Sequence, residues 1–280
     1  MISDRYSTAR MWALTKRNFV ENRRNIAITT GVIFGILLLI SIMITKSTRP
    51  DHIEWSMSNV EERNIMMCVM FASAAGFIAQ ILGSLTFSSM STKPKRISNL
   101  MLPASQSEKF ISQCLIYVVG GNMFIILSMF LADTISALIF GMAPGWMTSY
   151  GLLRMFTDLI HETPYGPQAL AMMILGGAVL FLLCQSIYVL GSAWWPRKSF
   201  LKTFVALFAI QVALPIIIPF GLLFNFFPEI GRIISDLNIT VGQVMVGGWC
   251  GLALAYGVLF LIYWLAWQRY KRLAVVKRFL

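Results

Sequence analysis

The sequence predicts an all-α integral membrane protein with six transmembrane helices, on the basis of its composition, its apolar runs and the placement of its charges. Of the 280 residues, 57% are apolar and 12% are charged, whereas a soluble domain carries about 25% charged residues. A helix needs about 20 mostly apolar residues to cross the bilayer. Six stretches meet this length within one predicted domain, 1–280, at approximately 26–45, 65–87, 114–140, 170–194, 203–227 and 241–267.

Prolines and glycines mark special positions within these spans. Pro215 and Pro219 lie four residues apart in the fifth span, and each removes a backbone donor, so we expect a kink there. Two G-x-x-x-G pairs predict places where helix backbones approach closely. They are Gly31 with Gly35 and Gly247 with Gly251.

The basic residues predict the orientation of the chain. The segment before the first span, the second and fourth loops and the carboxyl-terminal tail together hold 18 Lys and Arg residues. The opposite loops hold five basic residues and eight of the twelve acids; the five are Lys46, Arg49, Arg63, Arg154 and Arg232. Because basic loops stay in the cytoplasm, both termini are predicted to be cytoplasmic. Most of these charges abut apolar runs, which favours lipid headgroups over nucleic acid as their partners.

The first 25 residues predict an amphipathic helix that lies in the cytoplasmic membrane interface. Its apolar side chains share one side of a 3.6-residue period, and Arg10, Arg17 and Arg24 line another. The apolar set is Ala9, Trp12, Ala13, Phe19 and Val20. A solvated helix would not need Trp and Phe on one stripe.

The loop between spans two and three, residues 88–113, predicts a short cytoplasmic helix followed by a corner. Ile97, Leu100 and Met101 form one apolar stripe, preceded by basic residues, and Pro103 ends the helix. Ser105 and Glu108 form an S-x-x-E capping box, so a second helix begins there and continues into the third span. A purely structural turn is the alternative.

Two further loops carry weaker patterns on the outer side. The third loop, residues 141–169, predicts a short amphipathic helix around 149–160. The fifth loop contains Pro228, Glu229, Arg232 and Asp236, and whether it re-enters the membrane is left open.

No pattern in the sequence predicts catalysis, a metal site or a bound cofactor. The chain lacks the G-x-x-x-x-G-K-[ST], H-E-x-x-H and G-x-S-x-G motifs, and His52 and His161 are isolated. Asp133 is the only acid within a predicted span, and we interpret it as an interfacial or packing acid rather than a proton relay. On that interpretation, Asp133→Asn leaves transport largely intact. Four uncharged residues could join helices or line a translocation path: Gln80, Asn122, Gln185 and Gln211.

The segment 96–110, RISNLMLPASQSEKF, is similar to the L-L-P-A-S-x-x-E-K-F segment of ABC-2-type permeases of Bacteroidetes-type bacteria. The six-span topology resembles that family over almost the whole chain. The resemblance implies that a coupling helix here contacts a separate ATP-binding subunit. The implied contact residues are Lys93, Lys95, Arg96, Ile97, Leu100, Met101, Leu102, Pro103, Ser105, Glu108, Lys109 and Phe110.

The resemblance also implies a dimer with a second permease copy or paralogue, and an exporter in the bacterial inner membrane. The short fifth loop departs from the fuller re-entrant hairpin of many relatives. A secondary carrier or channel is the first alternative, and it predicts charged or broken helices at mid-membrane and internal repeats. A membrane scaffold that recruits a cytoplasmic protein without transport is the second. Few polar groups lie in the spans, which favours a lipid, a peptide or another amphipathic cargo.

Overall fold

The structure is a computed structural model, and every regular element that it describes is helical. It describes residues 7–21, 23–48, 57–102, 104–142, 147–148, 151, 157, 160, 166–223 and 241–275. The long helices are α1 (Thr8–Glu21), α2 (Arg23–Ser47), α3 (Met57–Leu85), α6 (Gly121–Ile139), α7 (Gly166–Trp194), α8 (Ser199–Leu223) and α9 (Val241–Val275). A 3₁₀ turn (Ser88–Met90) and the short helices α4 (Lys93–Met101) and α5 (Gln106–Cys114) connect α3 to α6.

Among the described residues, five helical stretches are long and apolar enough to cross a membrane, as expected of a multi-pass membrane protein. They are Ile26–Ser47, Asn59–Met90, Gln106–Ile139, Gly166–Trp194 and Met245–Arg272. The predicted fifth span falls on α8, whose apolar stretch Ser199–Ala213 is too short by itself to qualify. The side chains of Pro215 and Pro219 lie outside the described ones, so the predicted fifth span and its kink stay predictions.

The helix boundaries correct the sequence analysis in one place that matters. The second span was predicted to begin at 65, but α3 already begins at Met57. Arg63, assigned above to the first outer loop, therefore lies within the helix and is fully buried. The prediction that Arg63 belongs to that loop is wrong, because hydropathy cannot detect a charge that is neutralised by a distant helix.

The predicted corner between spans two and three is present in the structure. α4 ends at Met101, and Ser105 caps α5. The Ser105 side chain accepts from the Glu108 backbone N–H at 3.2 Å, and the Glu108 carboxylate accepts from the Ser105 N–H at 2.9 Å. The capping box is thus confirmed. α5 continues through a π-helical segment (Leu115–Gly120) directly into α6, as predicted.

The bundle is built around α3, which packs against α2, α6 and α7, while α7 packs against α8 and α9. Ile33, Leu37, Met67 and Ile125 form the centre of the core between α2, α3 and α6. Because α1 lies on α5 and the carboxyl-terminal part of α9 also contacts α5, their basic residues share one end of the bundle. We call the end that carries Lys16, Lys95, Arg197 and Arg269 the basic end.

The glycines that allow close helix packing are not the ones predicted. A Cβ atom at Gly31, Gly35, Gly247 or Gly251 would meet nothing within 4 Å. At Gly83, by contrast, a Cβ would lie 2.9 Å from the backbone oxygen of Gln185 on α7. At Gly191 it would overlap the Thr203 side chain on α8. Within this chain the G-x-x-x-G expectation is wrong, because the motif does not specify which face of a helix meets a neighbour.

Candidate functional site

Glu108 fastens α1 to the start of α5 at the basic end. Its carboxylate is fully buried, accepts a hydrogen bond from the Ser7 backbone N–H at 2.8 Å, and lies 3.6 Å from the Arg10 guanidinium. The same carboxylate completes the capping box with Ser105. One side chain therefore holds the start of α1 and the corner before the third predicted span in a fixed relation.

A second contact sets how α1 lies along α5. The Thr15 hydroxyl hydrogen-bonds the Ser112 hydroxyl at 3.0 Å, and the Asn18 amide donates to the same oxygen at 3.4 Å. Thr15 and Ser112 are both buried. This face of α1 is thus polar and docked on protein, while Trp12 and Phe19 on another face are exposed. The helix predicted before the first span exists, and its position in the membrane interface stays a prediction.

An aromatic cluster joins α5 to the ends of α3 and α9. The Phe110 ring lies 5.3 Å from Phe87, 5.1 Å from Trp267 and 5.6 Å from Tyr270, measured between ring centroids. These separations are in the range of favourable aromatic pairs. The cluster therefore couples the position of α5 to two helices that are candidate membrane spans.

The residues predicted to contact an ATP-binding subunit fall into two groups. Glu108, Lys109 and Phe110 are buried in the chain's own packing. On α4, Ile97 and Met101 are 55% and 80% exposed and Lys95 is also exposed. The side chains of Lys93 and Leu100, and all of Pro103, lie outside the described residues.

Arg96 and Asn99 form the face of α4 that lies against the bundle. The Arg96 guanidinium donates to the Met90 backbone oxygen, and Asn99 is buried. Leu102, just beyond the helix, is half-buried. α4 is therefore attached to the bundle by one face, and its apolar residues Ile97 and Met101 face outward.

A buried ion pair lies at the opposite end of the bundle. The Arg63 guanidinium is 2.7 Å from the Asp133 carboxylate and also donates to Thr45 Oγ1 at 3.0 Å. Asp133 accepts two more hydrogen bonds, from the Thr148 backbone N–H at 3.0 Å and from its hydroxyl at 3.1 Å. The arrangement joins α2, α3 and α6 to the segment after α6, and it satisfies both charges.

The depth of this pair bears on what it can do. Arg63 lies six residues after the start of α3, and Asp133 lies six residues before the end of α6. At 1.5 Å per residue each charge is about 9 Å from its helix end. The pair is thus nearer the end of the bundle opposite the basic end than its middle, which supports the interpretation of Asp133 as a packing acid.

Sequence reasoning found Asp133 but missed its partner. A carboxylate inside a span demands a neutralising group. On the predicted outer side, Lys46 and Arg63 were the basic residues adjacent to the ends of predicted spans. That requirement was the available signal.

The other polar candidates are spread over the bundle. The Asn122 amide donates to the Gln185 side-chain oxygen at 2.9 Å, which links α6 to α7. Gln80 is half-buried and Gln211 is exposed on α8. Asn122 and Gln185 therefore join helices, whereas Gln80 and Gln211 are not brought to the same place.

Comparisons of the chain with protein-family models, with characterised proteins and with solved structures find no match.

Proposed function

We propose that the chain is the membrane subunit of an ATP-driven ABC-type exporter, in which a separate subunit binds and hydrolyses ATP. The observation that carries the proposal is α4, a short helix outside the candidate spans whose apolar side chains face outward at the basic end. Exposed Ile97 and Met101 beside Lys95 make a small apolar patch with a basic rim. A helix of this kind suits insertion into a groove on a partner.

The connections of α4 suit the transmission of movement. Behind it, the capped corner at Ser105 leads into a continuous helical stretch, Gln106–Ile139. Its 34 residues span about 50 Å at 1.5 Å per residue. Within this helical stretch, Phe110 packs against Trp267 and Tyr270 of α9. A displacement of α4 would therefore reach two membrane-spanning helices rather than one.

The remaining features of the proposal follow from charge and from resemblance. The 18-to-5 distribution of basic residues supports cytoplasmic termini and a cytoplasmic α4. Six spans, pairing with a second permease copy or paralogue, and location in a bacterial inner membrane follow from the similarity of the segment 96–110 to ABC-2-type permeases. The few polar groups within the spans favour an amphipathic cargo.

The test is to identify what contacts α4. A photocrosslinking amino acid at Met101 of the full-length chain, expressed in its own host, should capture a protein whose sequence carries a P-loop motif. The matched control is the same group at Leu201, which is 58% exposed at the start of α8 but lies outside the predicted contact. Capture at both positions, or at neither, would contradict the assignment of α4 as the coupling helix.

A secondary carrier is the second candidate, because Arg63 and Asp133 are charges buried between candidate spans. Against it stand their complete pairing and their position about 9 Å from the helix ends. Transport in reconstituted vesicles separates the two: the exporter needs ATP together with the partner, whereas a carrier needs only an ion gradient. A scaffold would give no transport under either condition.

A further inference from the structure

The basic end contains an amphipathic cavity that the proposed function does not use. Its larger, apolar lobe has a volume of about 1040 Å³ and lies between α1, α2 and the start of α6. A smaller polar lobe of about 230 Å³ lies between α1, α4 and α5. The two lobes share Ile26, Ser88, Lys95, Ile116 and Tyr117 as lining residues, so they lie side by side.

The apolar lobe has the depth of one membrane leaflet. Its lining includes Arg23 and Ile33 of α2, ten residues apart, together with Leu82 of α3 and Phe124 of α6. Ten residues of helix span about 15 Å, which is half of the roughly 30 Å hydrocarbon core. All three helices belong to candidate membrane spans. An acyl chain entering at the basic end would therefore run along this lobe to about mid-membrane.

The mouth of the cavity is positively charged. Lys16, Arg23 and Lys95 line the apolar lobe near the basic end, and all three are exposed. Within the described part of the chain, no acid forms an ion pair with any of them. Arg17 and Glu21, which line the polar lobe, pair with each other at 2.6 Å. The lining therefore attracts an anion.

The polar lobe also contains buried groups without hydrogen-bond partners. Gln113 is 5% exposed and donates to the Ser89 hydroxyl, but its side-chain oxygen has no partner among the described atoms. The Asn99 side-chain nitrogen is likewise buried and unpartnered. The Asn99 amide lies near the Tyr270 hydroxyl, which does not line the lobe. Buried polar groups are rarely left unsatisfied, so the lobe is suited to a polar ligand group.

We infer that this cavity binds one anionic phospholipid, with its phosphate among Lys16, Arg23 and Lys95 and its headgroup in the polar lobe. An acyl chain lies along Ile33, Leu82 and Phe124. The amphipathic helix α1 covers the site from the side, with Phe19 and Trp12 among its lining residues. The inference needs only that the chain spans a membrane, and it does not depend on an ATP-binding partner.

The test compares lipid retention by purified full-length variants. The chain is reconstituted in vesicles of phosphatidylglycerol and phosphatidylcholine in equal amounts, extracted in mild detergent and examined by native mass spectrometry. Wild type should retain one phosphatidylglycerol. The triple variant Lys16→Gln/Arg23→Gln/Lys95→Gln should bind it on the order of 100-fold more weakly, since each basic residue near an anionic lipid surface contributes about fivefold. The control Arg197→Gln/Lys202→Gln/Arg272→Gln neutralises three exposed basic residues outside the cavity and should behave as wild type.

A second variant separates a lipid from a free phosphate. Ala27→Trp places bulk in the apolar lobe and keeps all three basic residues, and Ala178→Trp adds the same bulk at an exposed position on α7. Ala27→Trp should abolish lipid retention and Ala178→Trp should not, while inorganic phosphate alone should not raise the melting temperature of lipid-free wild type. Equal retention of both lipids, or retention unchanged by the triple variant and by Ala27→Trp, would overturn the inference. Stabilisation by inorganic phosphate that is unaffected by Ala27→Trp would also overturn it, by making the cavity a phosphate site.

Discussion

The buried pair of Arg63 and Asp133 gives the sharpest test of the fold. Asp133→Asn removes the negative charge and leaves the guanidinium with only neutral partners, among them Thr45 and Ser136. Arginine cannot lose its proton to escape this situation. Removing one partner of a buried ion pair costs about 3–5 kcal/mol, which is a large part of a typical stability of about 5–15 kcal/mol. This cost concerns stability, so the prediction that Asp133→Asn leaves transport largely intact applies to the fraction of the variant that folds.

The reverse change should cost less. Arg63→Met leaves Asp133 with both hydrogen bonds from Thr148, and the carboxyl group can become neutral by taking up a proton. The double variant Arg63→Met/Asp133→Leu has no buried charge left. We expect it to be more stable than Asp133→Asn alone, because buried pairs replaced by apolar residues are often close to neutral.

The measurement is thermal unfolding of the purified chain in detergent, with Arg63→Met, Asp133→Leu and their double variant combined as a double-mutant cycle and Asp133→Asn measured beside them. A coupling free energy of about 0.5–3 kcal/mol is expected for side chains in direct contact. Glu62→Gln is the control, since Glu62 is an exposed acid on the same helix as Arg63. If Asp133→Asn melts with the control, or if the two single effects simply add, the pair does not hold these helices together.

Three other predictions concern α1, helix packing and topology. Glu108→Gln should weaken the capping box by about 1 kcal/mol and raise amide hydrogen exchange in residues 8–21. The control Glu21→Gln, at an exposed position, should change exchange only locally. Equal protection of residues 8–21 in both variants would show that Glu108 does not hold α1 on α5. Gly191→Ala should lower the melting temperature because the new Cβ atom would overlap the Thr203 side chain on α8. Gly257→Ala should not, since a Cβ atom there meets no described atom within 4 Å. Similar melting temperatures of the two variants would contradict the packing of α7 on α8. A reporter at the carboxyl terminus should be cytoplasmic and one near Gly151 external, and finding both on one side would refute the six-span topology.

The membrane class and the elements around the corner could be predicted from the sequence because they depend on local properties. Twenty consecutive apolar residues, a charge count per loop and the spacing of Ser105 and Glu108 are all visible within short windows of the chain. Each depends on a property of the segment itself: its transfer into lipid, its attraction to one membrane face, or its own backbone hydrogen bonds. That is why five of the six predicted spans correspond to long apolar helical stretches with only modest errors in their boundaries, and why the capping box was predicted correctly.

The tertiary structure decided which residues meet, and no local window contains that information. Arg63 and Asp133 are 70 residues apart, and Glu108 reaches Ser7 across 101 residues. The glycines in close contact, Gly83 and Gly191, belong to no G-x-x-x-G pair singled out in the sequence. A charge or a glycine looks the same in sequence whether it faces lipid, water or another helix. Only the packing of α3 against its neighbours determines that Arg63 is a buried half of an ion pair and not a loop residue.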